Sequence, residues 1–138
     1  MDLKSLLSST STVSVDYPDP DLKGFTISVQ YMSRDLIQTL RKKATTIGFN
    51  KSTRQPEETI DEDLFYKLYV GSAIKGWTGL KLKYLNELMP TDLTGVPDTE
   101  AELEYTDDSA LTLVQNSANF DAWIMAVIND VSLFNKTV

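Results

Sequence analysis

Hydrophobic positions in this chain change their period several times. Val13 and Val15 alternate with Ser and Thr between Thr12 and Asp16, and Phe25, Ile27, Val29 and Tyr31 alternate with polar residues just beyond Lys23-Gly24. A period of two places one set of side chains on one face of an extended strand. Pro18-Asp-Pro20-Asp between the two runs is turn chemistry. The pattern predicts a β-hairpin over residues 13–31. Its apolar face must rest on other elements, because a lone two-stranded hairpin is marginal in water. Residues 1–12 are rich in Ser and Thr and predict a poorly ordered leader in which Leu3, Leu6 and Leu7 form at most a short helical turn.

From Ser33 the period lengthens to that of a helix. Ser33 is an N-cap candidate and Asp35 lies in the first turn. Leu36, Ile37, Leu40, Ala44 and Ile47 make one apolar face, and Gly48-Phe49 has the form of a Schellman close. Arg41, Lys42 and Lys43 fall where a helix dipole favours cations, so they read first as a solvated helix end and second as an anion or partner site. The polar run 50–60, NKSTRQPEETI, predicts an exposed loop.

The longest apolar organisation is Asp61–Leu88. Asp61 is a candidate N-cap with Glu62 and Asp63 behind it, followed by the broad stripe Leu64, Phe65, Leu68, Tyr69, Val70, Ala73 and Ile74. Gly71 and Ser72 predict a close backbone approach to this helix. Gly76 predicts a left-handed residue that ends it, delivering Trp77 at a corner with its ring inward and its N–H in need of an acceptor. Leu80, Leu82, Leu85, Leu88 and Met89 predict a shorter helix stopped by Pro90. After a loop over 90–100, Leu103 and Tyr105 predict a brief extended piece. Thr106 caps a helix beginning Asp107-Asp108, which breaks at Asn116 or Ser117. A last helix carries Phe120, Trp123, Ile124, Val127, Ile128, Val131 and Phe134.

Together these elements predict a mainly α fold of about five helices packed as one domain with a small N-terminal β-hairpin. The leader is 1–12, the single globular domain 13–138, and its helical part 33–135. The 138 residues, 41% of them apolar, suffice for one core without staples. There is no cysteine and no histidine. The usual general base near neutral pH, the commonest metal ligand and the thiol nucleophile are therefore missing. A net charge of −7 disfavours nucleic acid and anionic membrane surfaces as partners. No apolar run is long enough to span a bilayer, and the N-terminus is not a secretory signal.

Candidate chemistry is sparse. Asp61-Glu62-Asp63 and Asp107-Asp108 are explained by helix starts, Asp92, Asp98 and Glu100 lack EF-hand spacing, and Gly76-Trp-Thr-Gly79 lacks the phosphate-loop frame. No catalytic, cofactor-binding or metal-ligating residue is assigned, and the expectation is a protein that is not an enzyme. Most aromatic residues sit on core faces. Tyr66, Tyr84 and Trp123 fall at the edges of their stripes and are the candidates for partner contact.

Gly24-Phe25 entering a strand, Trp77-x-Gly79-Leu80 after a helix, Thr106-Asp-Asp-Ser-Ala110-Leu opening a helix, then Phe120-x-x-Trp123 and a closing Phe134: this order resembles the small tail assembly chaperones of long-tailed bacteriophages. The likeness runs over residues 24–134. It implies a non-enzymatic protein that binds the tape-measure protein, keeps it soluble and recruits tail-tube subunits of the same phage. Such proteins act in the host cell cytoplasm, are absent from the mature virion, and many self-associate into homo-oligomers. The motif positions carried over are Trp77, Gly79, Thr106 and Phe120, as structural residues. The alternatives are a permanent structural component of a phage tail or head–tail junction, and a small acidic inhibitor that mimics nucleic acid.

Overall fold

The computed structural model describes residues 2–7 and 12–135, apart from the Ser5 side chain. Residues 1 and 8–11 of the expected leader and 136–138 of the expected domain lie outside the described residues. In chain order come β1 (Thr12–Asp16), β2 (Thr26–Gln30), α1 (Arg34–Lys43), β3 (Thr45–Asn50), β4 (Gln55–Ile60), α2 (Glu62–Ala73), β5 (Ile74–Thr78), α3 (Leu85–Leu88), α4 (Asp107–Asn116), α5 (Ala118–Ile128) and α6 (Val131–Phe134). Short 3-10 turns occur at Leu3–Leu6, Pro20–Leu22 and Leu82–Tyr84.

The expected mainly α architecture is overturned. Among the described residues, six helices stand beside five strands, and two antiparallel sheets make the fold α+β. The hairpin of β1 and β2 is present, with Val13 opposite Val29 and Val15 opposite Ile27. It is not alone: β5 adds to the other edge of β2, giving the order β1-β2-β5. Thr26 pairs with Thr78, Ile27 with Trp77, Ser28 with Gly76 and Val29 with Ile74, so Lys75 is the extra residue of a bulge.

Two local expectations fall with that strand. The central helix stops at Ala73, and Gly76 does not take the left-handed conformation; the glycines with positive φ are Gly24 and Gly79. Ile74 fits a helical stripe equally well, but here it is fully buried as the first residue of β5. A free sheet edge with apolar alternation on β2 outcompetes one more helical turn, because pairing satisfies a row of backbone groups at once. The third correction concerns residues 45–60. The expected Schellman close and polar loop are a second hairpin, with Ile47 opposite Glu58 and Phe49 opposite Pro56. The described helix α1 ends at Lys43 with Ala44 as its C-cap, and β-branched Thr45, Thr46 and Ile47 follow in extended conformation.

The helix starts are where local chemistry places them. Ser33, Asp61, Thr106 and Ser117 accept from the backbone N–H three residues on, Leu36, Leu64, Ser109 and Phe120 respectively. The inner face of the three-stranded sheet carries Ile27, Val29, Ile74 and Trp77, and packs against α2 and α5. Phe25 and Phe120 stack at 6.2 Å between ring centres, and Trp77 meets Phe25 edge-on at 6.4 Å. Fully burying a side chain of this size stabilises the fold by about 1.5–3 kcal/mol. Gly71 meets no neighbour: a Cβ there would have nothing within 4 Å, so the expected close backbone approach is absent.

Candidate partner-binding surface

Two parts of the molecule stand out. The first is a corner where the entry to β2 meets the exit from β5. Gly79 has φ +75°, and a Cβ built on it would lie 2.7 Å from the Gly24 carbonyl carbon and 3.3 Å from the Phe25 nitrogen. Gly24, with φ +88°, sits directly beneath it. The backbone approach therefore needs glycine at 79 for both space and conformation. Beside this contact Trp77 Nε1–H donates to the Leu103 carbonyl at 3.0 Å, and the Tyr84 hydroxyl donates to the Lys23 carbonyl at 2.8 Å. The segment after the loop is stitched on by backbone bonds from Leu82 to Ala101, Lys83 to Thr99 and Leu103 to Leu80. Thr106 caps α4, and Phe120 is fully buried in α5.

Of the three partner candidates, the structure places Tyr84 inside this corner, 7% exposed. Trp123 is half-buried, with its ring edge-on to Tyr17 at 4.9 Å. Tyr66 is half-buried on α2; burial first, and then the charge of Asp121, raise its hydroxyl above the usual tyrosine range. Tyr69 is raised by the same two causes in the same order, and its hydroxyl points at Met125 Sδ, 3.9 Å away. The three are not brought together: Tyr66 lies by Asp121 of α5, Trp123 packs on Tyr17 beyond the end of β1, and Tyr84 is held in the core.

The second part was not singled out by the sequence as a site. The hairpin β3–β4 stands off as an arm. Direct Cα partners share a face, so Thr45, Ile47 and Phe49 lie with Pro56, Glu58 and Ile60, and the opposite face carries Thr46, Gly48, Asn50, Gln55, Glu57 and Thr59. Ile47 is 74% exposed and Phe49 66% exposed, the two most exposed large apolar side chains outside the N-terminal turn among the described residues. The polar face is internally bonded, Asn50 Nδ2–H donating to Glu57 Oε2 at 3.0 Å. The base is closed by the Asp61 N–H donating to the Ala44 carbonyl at 2.8 Å. The signal for this arm was in the sequence, as the alternation Thr45-Ile47-Phe49 against Thr46-Gly48-Asn50. Ile47 also completes the helical face of α1, and that competing period concealed it.

No family model, curated protein or solved structure matches this chain. Among the described residues, no helix is long and apolar enough to cross a membrane. Carboxylates of Asp19, Asp21 and Glu87 come within 4.8 Å of one another near the surface. Asp19 is already engaged as a cap, accepting from the Asp21 N–H at 2.9 Å. A shallow groove of about 180 Å³ between α3 and α4 is lined by Leu85, Met89, Leu103, Asp108, Ser109, Thr112 and Leu113. The strongest shift in acidity belongs to Tyr105. Burial, then the hydrogen bond and charge of Asp107, push its hydroxyl up to about 12. That hydroxyl lies 2.8 Å from the Ile74 carbonyl and 2.9 Å from Asp107 Oδ1, tying the start of α4 to the first residue of β5.

Proposed function

We propose that this chain is a tail assembly chaperone of a long-tailed bacteriophage, which binds the tape-measure protein and helps recruit tail-tube subunits during virion assembly. The observation that carries the reading is the arm: an amphipathic hairpin whose apolar face, with Ile47 and Phe49, is bare on a protein with net charge −7. Covering that face by an apolar stripe of another polypeptide removes both side chains from water, at about 25 cal/mol per Å² of apolar area. The acidic net charge keeps the free protein soluble while such a surface is open. The sequence likeness supports the same reading: Gly24 and Gly79, which belong to the resembling pattern, meet at the corner that fixes β5 beside β2.

The test is co-expression with the large helical protein encoded by the same phage that acts as tape measure. Wild-type chain should co-purify with it and raise its soluble yield. Ile47→Lys/Phe49→Lys should lose both effects with an unchanged melting temperature, since neither side chain is buried. Equal solubilisation by this variant, or no co-purification of the wild type, would refute the reading. Mass spectrometry of purified virions separates the structural-component alternative: a chaperone is missing from the particle, a tail or head–tail junction component is present.

A further inference from the structure

The ladder inside the arm leaves one outer edge open and the other blunted. At the base the Asp61 N–H donates to the Ala44 carbonyl at 2.8 Å, and the register then runs without a shift from Thr45 opposite Ile60 to Asn50 opposite Gln55. Hydrogen-bonded pairs alternate along an antiparallel ladder, so Thr46, Gly48 and Asn50 bond inward to Thr59, Glu57 and Gln55. Thr45, Ile47 and Phe49 turn their N–H and C=O groups outward, as Pro56, Glu58 and Ile60 do on β4. The sheet has only these two strands, so neither outer edge is covered by a third. On β4 the outward donor is missing at Pro56, and Glu57 and Glu58 add charge; both features keep an edge from pairing. On β3 all three outward donors are present, with neither charge nor proline.

The open edge is also flanked by cations. Arg41, Lys42 and Lys43 precede β3, Lys51 and Arg54 follow it, and no acidic residue occurs from Leu36 to Pro56, on a chain of net charge −7. All five basic side chains are exposed. Arg41 is held over the Phe65 ring at 4.8 Å. None of the five is in a salt bridge; among the described residues those join Lys81 and Lys83 to Glu100.

We propose that the β3 edge docks an extended segment of another polypeptide, one that alternates apolar and polar residues and carries carboxylates at both ends. Backbone bonds to Thr45, Ile47 and Phe49 supply affinity, as in other cases of strand addition to a sheet edge. The apolar residues of the incoming strand lie beside Ile47 and Phe49 on one face, and that register selects alternation. About six residues match β3 in length, which sets one acidic end by Lys42 and Lys43 and the other by Lys51 and Arg54. A second copy of this chain is a poor occupant: its β4 edge lacks the donor at Pro56, and its β3 edge would set cation against cation. A helix is a poor occupant too, because its own N–H and C=O groups are already bonded along its axis. Strand docking rests on the arm being a binding surface, as in the chaperone reading, and adds the chemistry of what binds there.

Amide hydrogen exchange of the full chain, read by NMR, decides it. The probe is a synthetic peptide of alternating valine and threonine with two glutamates at each end, blocked at both termini. At nine-tenths saturation the Thr45, Ile47 and Phe49 amides should exchange about tenfold more slowly, while Thr46, Gly48 and Asn50, already bonded, should change little. Binding should weaken between about 20 mM and about 500 mM salt. The same peptide with lysine ends should bind at least about tenfold more weakly. Lys42→Glu/Lys51→Glu, which reverses one charge at each end of β3, should prefer the lysine-ended peptide; if that variant fails to fold, the two peptides on the wild type still decide. No binding of the glutamate-ended peptide up to about 1 mM, or equal binding of both peptides, would overturn the proposal. So would protection of these three amides by an amphipathic helical peptide with the same acidic ends, or by raising the concentration of the chain alone, since a helix or a second copy would then be the occupant. Failure here leaves co-purification with a tape-measure protein untouched, so the two readings fall separately.

Discussion

Replacing Gly79 by alanine should be among the most damaging single-methyl changes in the molecule. Two costs add. The first is conformational: at φ +75° an L-residue loses about 1–2 kcal/mol. The second is steric. The new Cβ would lie 2.7 Å from the Gly24 carbonyl carbon and closer still to its oxygen, and both atoms are backbone, so no side chain can swing aside. Relief requires the entry of β2 to retreat from β5, and overpacking of this kind costs about 1–3 kcal/mol. The total is about 2–5 kcal/mol, a large part of the stability of a domain of this size. In a thermal melt it corresponds to a fall of about 8–20 °C. Gly24→Ala is the internal control: its φ of +88° brings the same conformational cost, but its Cβ would meet nothing within 4 Å. It should lose only about 1–2 kcal/mol. Urea titrations of both variants measure the difference. If Gly79→Ala loses no more than Gly24→Ala, the close approach of the two backbones is not what holds the corner.

Gly71→Ala should raise stability by about 0.4–1 kcal/mol, because it lies inside α2 with open space around its Cβ; a lower melting temperature would contradict this. Trp77→Ala should cost about 3–5 kcal/mol through loss of buried volume, whereas Trp77→Phe should cost about 1–3 kcal/mol through the orphaned Leu103 carbonyl; chemical denaturation ranks the two. Alkaline stability should follow Tyr105. Its folded-state acidity, pushed up to about 12, lies above the ordinary tyrosine value of 10.0, so the neutral form stabilises the fold fully below pH 10 and that contribution is lost between about pH 10 and pH 12. Melts across that window should show a shallower decline for Tyr105→Phe, with the remaining slope due to Tyr17, Tyr66 and Tyr69, which are raised in the same direction.

What the sequence determined by itself was local. Ser33, Asp61, Thr106 and Ser117 cap helices because each side-chain oxygen reaches a backbone N–H three residues away, whatever the rest of the chain does. The β1–β2 pairing was legible for a similar reason: two clean alternations are joined by a short proline-rich turn. The need of Trp77 for an acceptor was also legible, but not the identity of that acceptor, the Leu103 carbonyl, twenty-six residues on.

Tertiary structure alone decided the segments whose residues satisfy two periods at once. Ile74 continues the stripe of α2 and equally fills an inward position of a strand; the open edge of β2 settles the choice. Ile47 completes the face of α1 and equally alternates with Phe49, and the partner strand Gln55–Ile60 draws it into a hairpin. Such a partner can outweigh propensity because it supplies hydrogen bonds to the whole segment, while propensity differs by only a fraction of a kcal/mol per residue. The same long-range pairing turns Arg41–Arg54 and Glu57–Asp63, which along the chain are two separate charge runs, into opposite flanks of one arm.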